Sequence, residues 1–117
     1  GDGLKRLVDV VGPSFSKEIF YTARQFTAQE ALTMGLVNRI IPRSILSSYV
    51  DDYTKTIVGN APMTVSAARV VINELMKGNN YDEELANKAV DDCFASEDYQ
   101  EGRTAFMEKR IPKFKGR

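Results

Sequence analysis

The segment from about Pro62 to Met76 constrains this chain most. Val65, Ala68, Val70, Val71, Ile72 and Leu75 occupy much of the circumference of a helix instead of one stripe. A helix that is apolar on more than one face has to pack on two sides. In a chain of 117 residues that requires a central position or a subunit interface.

The remaining sequence divides into short helical periods set off by breakers. Leu4, Leu7, Val8 and Val11 recur at helical spacing, and Gly12 ends that element. Pro13 suits the first turn of the next helix, whose apolar face holds Phe15, Ile19 and Phe20. Thr27-Ala28-Gln29-Glu30 reads as a capping box: the threonine oxygen accepts an early backbone N–H while the glutamate reaches back. Gly35 is the expected left-handed end of that short helix. Leu36 to Ile41 is the one strand candidate, stopped by Pro42. A lone strand must pair outside this chain or run as an extended segment. An amphipathic helix follows from about Ser44 to Gly59, with Leu46, Tyr49, Val50, Tyr53 and Ile57 in its stripe. Asn60-Ala61-Pro62 and Gly78-Asn79-Asn80 break the chain on either side of the two-sided helix. Another helix spans about Tyr81 to Ala95. Ser96 caps the last one, Glu97 and Asp98 suit its positive end, and Pro112 is expected to terminate it. No internal repeat or low-complexity tract interrupts this mainly α pattern.

Composition narrows the function classes. Apolar residues make up 43% and charged residues 27%, as in an ordinary globular domain, and no apolar run approaches a membrane span. The first residues show no signal-peptide pattern and no starting Met, which leads us to expect trimming or truncation. Sixteen basic and sixteen acidic residues cancel, which disfavours a nucleic-acid binder driven by bulk charge. The charge is nevertheless segregated. From Asp82 to Glu101 there are eight acidic residues and one basic; from Gly102 to Arg117 there are six basic and one acidic. Such a basic end can attract a phosphate-bearing ligand, or it can simply suit a helix C-terminus. The chain has no histidine, which excludes a Ser-His-Asp triad, histidine acid/base chemistry and histidine zinc sites. The single cysteine, Cys93, fits a reducing compartment, the cytoplasm or an organelle matrix. It shares a helix face with Leu85 and Ala89 and reads as a small core residue. Asp51-Asp52 and Asp91-Asp92 point in different directions on their helices, so no metal site is expected. Glu18 and Glu30 are weak acid/base candidates, one a charge on an amphipathic helix and the other already a cap.

Several runs together carry a resemblance. Ser96 to Arg110 follows the pattern "S-E-D-x-x-E-G-x-x-A-F-x-E-K-R", which is similar to the C-terminal helix of the enoyl-CoA hydratase/isomerase family, the crotonase superfamily. Gly3-Leu4-Lys5-Arg6-Leu7 resembles that family's "G-G-T-Q-R-L", and Phe20 to Ala31 its "L-T-G-R-x-I-x-A-x-E-A". Gly35 to Pro42 resembles "G-L-V-N-x-V-V-P", and Asn60-Ala61-Pro62 opens like "x-A-P-x-A-V". The likeness spans the whole chain in the family's order. Ala23 departs from it where the family often has Gly, and Leu4-Lys5 departs from Thr-Gln.

The resemblance implies the C-terminal helical part of a crotonase-like α/β spiral fold, including the trimerisation helices. Residues 1–42 would form the edge of the spiral core, and residues 43–117 the region of oligomerisation and coenzyme A contact. It implies an acyl-CoA thioester substrate, with coenzyme A entering as part of that substrate and no separate cofactor, and a homo-oligomer, trimer or hexamer. The reaction implied is reversible hydration of a trans-2-enoyl-CoA or a double-bond shift. In the family, two backbone N–H groups hold the thioester oxyanion and one or two glutamates move protons. These groups precede "G-G-T-Q-R-L", so no catalytic residue is assigned to this chain, and alone it is expected to be inactive. What carries over is a ligand pair, Phe106 and Lys109, which in the family reach coenzyme A from a neighbouring subunit. The alternative from residue pattern alone makes Phe106 core and Lys109 a solvated terminal lysine. A competing expectation is a non-catalytic helical oligomerisation or binding module with the same fold. Neither reading involves nucleic acid or a membrane.

Overall fold

The computed structural model describes residues 1–117 and is built of helices without a β-strand. The helices are α1 (Asp2–Thr22), α2 (Ala28–Met34), α3 (Leu46–Val58), α4 (Pro62–Leu75), α5 (Glu83–Phe94) and α6 (Glu97–Glu108). Single 3-10 turns occupy Arg43–Ile45 and Gly78–Asn80. The chain divides into two compact units, Gly1–Tyr49 and Val50–Arg117, with the division inside α3. No helix is long and apolar enough to cross a membrane.

In the first unit, the expected end at Gly12 and restart at Pro13 become a kink inside one continuous element. Gly12 has φ 82° and ψ 169°, well outside helical values. Ser16, almost fully buried, donates its hydroxyl to the Gly12 carbonyl one turn back at 2.7 Å and so satisfies its own buried O–H. The capping box of α2 is complete: Thr27 Oγ1 accepts from Glu30 N–H and Glu30 Oε1 accepts from Thr27 N–H, both at 3.1 Å. Gly35 closes α2 in the left-handed conformation. Val11 and Met34 form this unit's small buried core.

Leu36 to Ile41, the strand candidate without a mate in this chain, forms no strand, the second of the two outcomes open to it. Leu36 and Val37 N–H groups both turn back to the Ala31 carbonyl, at 2.9 and 3.4 Å, and the rest runs without regular structure. A β pattern needs a neighbouring strand to satisfy its backbone, and no other segment here is one.

Ala23 ends α1 with φ 47° and ψ 22°, its N–H bonded to the Ile19 carbonyl at 3.1 Å. This left-handed geometry explains why glycine is the natural residue at this cap. A non-glycine residue there is strained by roughly 1–2 kcal/mol, and glycine returns about half of that as unfolded-state entropy. Ala23→Gly is therefore expected to stabilise the protein by about 0.5–1 kcal/mol. Chemical denaturation checks this, and a lowered midpoint would contradict the cap assignment.

In the second unit, α4 and α5 are the principal packed pair, with α6 against both. Pro62 stands at the first helical position of α4, as its missing N–H favours. The core centres on Ala86 and Ala105. Cys93 is only partly buried, and its sulfur lies 3.5 Å from Thr64 Oγ1, so it touches α4 at a polar point. The two-sided character of α4 shows directly: α5 covers one side, while Ile72 and Leu75 remain 58% and 61% exposed.

Glu74 in the last turn of α4 is buried, a position that the apolar pattern did not foretell. Its carboxylate accepts from the Lys77 ammonium and from the Asp82 N–H at 3.1 Å. The Lys77 contact, then the Asp82 bond, hold its pKa below the usual carboxylate range. Asp82 is itself the cap of α5, taking the Leu85 N–H at 3.0 Å. One buried carboxylate thus ties the end of α4 to the start of α5.

Candidate functional site

Helix α6 is fixed at its start by Ser96, whose hydroxyl oxygen accepts from Tyr99 N–H at 3.0 Å and whose O–H donates to the Cys93 carbonyl at 2.6 Å. The Phe94 and Tyr99 rings meet edge to face across this junction, 4.9 Å between centroids. Asp98, in the first turn of α6, is 1% exposed. Its two oxygens accept from Lys115 N–H at 2.6 Å and Gly116 N–H at 2.8 Å, while the Asp98 N–H donates to the Arg117 carbonyl at 3.0 Å. The chain after α6 is thereby folded back along the helix it has just left. The Phe114 ring lies over Gly102, at a distance where a Cβ on that residue would make ordinary van der Waals contact with it.

Glu101 holds the same return from its middle. Its carboxylate takes both terminal nitrogens of Arg110, at 2.6 and 3.1 Å, and the Lys113 N–H at 2.9 Å. The Arg110 guanidinium, then the Lys113 N–H, bring the Glu101 pKa down to about 2. Arg110 also donates through Nε to Glu108 at 2.6 Å, and its pKa is raised by Glu101 first and Glu108 second.

Between these anchors lie the two residues singled out from the sequence. Phe106 is on α6 and 82% exposed, so it is not core in this structure. Met107 and Ile111 beside it are comparably exposed. Lys109 is not on the helix face where a spacing of three would put it. It is the left-handed cap, φ 54° and ψ 43°, with its N–H turned back to the Ala105 and Phe106 carbonyls. The helix therefore stops three residues before Pro112, and that proline is not its terminator. Lys109 is exposed and enters no ion pair, whereas the adjacent Arg110 enters two. An exposed ring and an uncommitted ammonium at one helix end can stack on a planar base and meet a phosphate.

The other candidates are occupied. Arg24 Nη2 reaches Glu30 at 2.5 Å and Glu18 at 3.3 Å, with its guanidinium 3.9 Å above the Phe26 ring. The Arg24 bond and then the Thr27 N–H lower the Glu30 pKa to about 2, far from what a general base needs at neutral pH. Glu18 and Glu30 form a structural ion cluster that closes the α1–α2 turn. In the acidic run, Asp92 pairs with Lys88 at 2.5 Å.

Residues 2–117 match the family profile described as enoyl-CoA hydratase/isomerase. A short-chain-enoyl-CoA hydratase of Clostridium acetobutylicum is 38% identical over 98% of this chain and 45% of its own length. Among solved structures, an enoyl-CoA hydratase/isomerase family protein from Hyphomonas neptunium superposes with a TM-score of 0.87 at 32% identity, covering 97% of this chain and 44% of that one. An enoyl-CoA hydratase from Bacillus anthracis does so with a TM-score of 0.78 at 30% identity, over 98% and 45%. The chain thus spans about half the length of the relatives it matches. Throughout that length it belongs to the enoyl-CoA hydratase/isomerase family.

Proposed function

We propose that this chain is the coenzyme A-contacting and assembly region of an enzyme that hydrates trans-2-enoyl-CoA thioesters or shifts their double bond. The observation that carries this reading is the exposed Phe106 ring beside Lys109 at the end of α6, with the ammonium unpaired. Phe106 would flank the adenine, and Lys109 would meet a phosphate as a flexible point charge. Both would act toward the ligand of a neighbouring subunit in a trimer or hexamer, with the exposed side of α4 as an assembly seam. In this reading the oxyanion donors and catalytic glutamates are supplied by segments outside residues 1–117. This chain then binds and positions without moving protons. The uncovered Ile72 and Leu75 would equally serve a non-catalytic assembly module, and coenzyme A binding separates the two.

Amide NMR of the isotopically labelled chain, titrated with coenzyme A, tests the proposal. The expected result is saturable shifts concentrated at residues 103–113, weakened about tenfold in Phe106→Ala because base–aromatic stacking is worth about 1–3 kcal/mol. Silent resonances in this region up to about 10 mM ligand, an affinity weaker than 3 kcal/mol, would leave only the assembly module standing.

A further inference from the structure

We infer that Glu101, through its grip on Arg110 and on the Lys113 backbone, is the positioning residue for Lys109. The inference rests on the ligand role proposed above for Lys109. The starting point is that Lys109 sits where glycine would fit better. A left-handed lysine is strained, and such conformations persist only where their surroundings over-determine them. The chain has one other non-glycine residue at positive φ, Ala23.

The surroundings that impose it are on the C-terminal side. Arg110 N–H reaches the Ala105 carbonyl at 3.0 Å, closing the helix end. The Arg110 side chain is then pinned by a two-pronged bond to Glu101, nine residues earlier, and by its Nε bond to Glu108. Glu101 adds the Lys113 N–H, so both ends of the Arg110–Lys113 stretch are fastened to one carboxylate in the body of α6. A fork-to-fork guanidinium–carboxylate pair fixes orientation as well as distance. The residue next to Lys109 is therefore fixed, and Lys109 is held in its cap with its ammonium in no ion pair. Because Glu101 remains ionised down to about pH 2, the lock is intact across the neutral range. Asp98 holds the far end of the tail, Lys115 and Gly116, and is not part of this grip on Arg110.

The test is a double-mutant cycle read by coenzyme A titration of the full chain: wild type, Lys109→Ala, Glu101→Gln and both together. Glu101→Gln keeps the size and one acceptor but loses the charge that makes the pair two-pronged. It is expected to weaken coenzyme A roughly fivefold when Lys109 is present and to have no further effect on Lys109→Ala, the non-additivity of residues acting as one unit. Arg110→Lys, which keeps the charge but loses the fork, should weaken binding in the same Lys109-dependent way, and Glu101→Asp should restore part of it. It serves also if Glu101→Gln does not fold. If Lys109→Ala weakens binding while the Glu101 and Arg110 variants are silent, or add fully to it, the positioning role is overturned and the ligand role stands. If Lys109→Ala itself leaves binding unchanged, the ligand role fails and this inference with it.

Discussion

Asp98→Ala is expected to release the C-terminal tail and to lower the stability of the second unit by about 3 kcal/mol. The buried carboxylate accepts two backbone N–H groups, at 2.6 and 2.8 Å, from successive residues of the tail. Charge-assisted bonds of this kind contribute about 1.5–3 kcal/mol each. Removing the acceptor leaves the N–H groups of Lys115 and Gly116, both exposed residues of the tail, without a protein partner. Two effects bound the loss. The tail can peel away and give its N–H groups to water, so the loss cannot exceed the free energy of holding the tail. A negative charge is also lost from the first turn of α6, worth about 0.3–1 kcal/mol. Asp98→Asn retains one acceptor without the charge and should fall about midway. Amide hydrogen exchange is the direct measurement: Lys115 and Gly116 should lose protection in Asp98→Ala before α6 does. Retained protection at both amides, with a midpoint shifted by less than about 0.5 kcal/mol as for an ordinary surface change, would show that something other than Asp98 holds the tail.

This anchor also marks where sequence stops being legible. The features read correctly from residues alone are those whose partners lie within four positions. Thr27 and Glu30 form a capping box because the geometry of one helical turn brings them together. Ser96, Gly35 and Pro62 follow for the same reason. Asp98 was legible only as a charge that suits a helix N-terminus. That its acceptors meet residues 17 and 18 positions later depends on a tail reversal that no local rule specifies. The segregation of acidic and basic runs was a true signal of that reversal, since Glu101 and Arg110 come from opposite sides of the boundary. Neither reading of the basic end, as a charge that attracts a phosphate or as one that suits a helix C-terminus, included this internal use. Glu74 was hidden likewise, because an acidic residue among valines and isoleucines reads as a solvated gap until Asp82 turns back to it eight residues on.

The other outcomes have physical causes too. Leu36 to Ile41 has strand composition, but strand formation is a property of pairs, and this segment has no mate among the helices. Pro112 is a true helix breaker, yet the helix had already been closed by the left-handed Lys109. Phe106 shows the limit of amphipathic reasoning: the apolar stripe predicts burial, and the ring is exposed. Only the family pattern singled it out. The two-sided α4 is the converse case, where composition alone foretold a face that this chain leaves uncovered.

Gly12→Ala is the second large effect, expected to cost about 3 kcal/mol, the upper end for a strained backbone position. Space is not the obstacle, since a Cβ at Gly12 would meet nothing within 4 Å. The obstacle is the dihedral pair, φ 82° and ψ 169°, a region that essentially only glycine populates. An alanine there would have to move to a right-handed helical conformation to relax. Pro13 blocks that escape. In a straightened α1 its ring would press on the carbonyl four residues back, at Asp9, and it has no N–H to give in return. Straightening would also re-aim the half of α1 that carries Val11, one of the two buried apolar side chains of the first unit. Gly3→Ala is the control: it lies in the same helix, in open space and without positive φ, and should stabilise by about 0.5–1 kcal/mol. Denaturant unfolding of the two variants should therefore move in opposite directions. Equal shifts would mean that the kink is not a requirement of the fold and that glycine at position 12 serves only as a flexible joint.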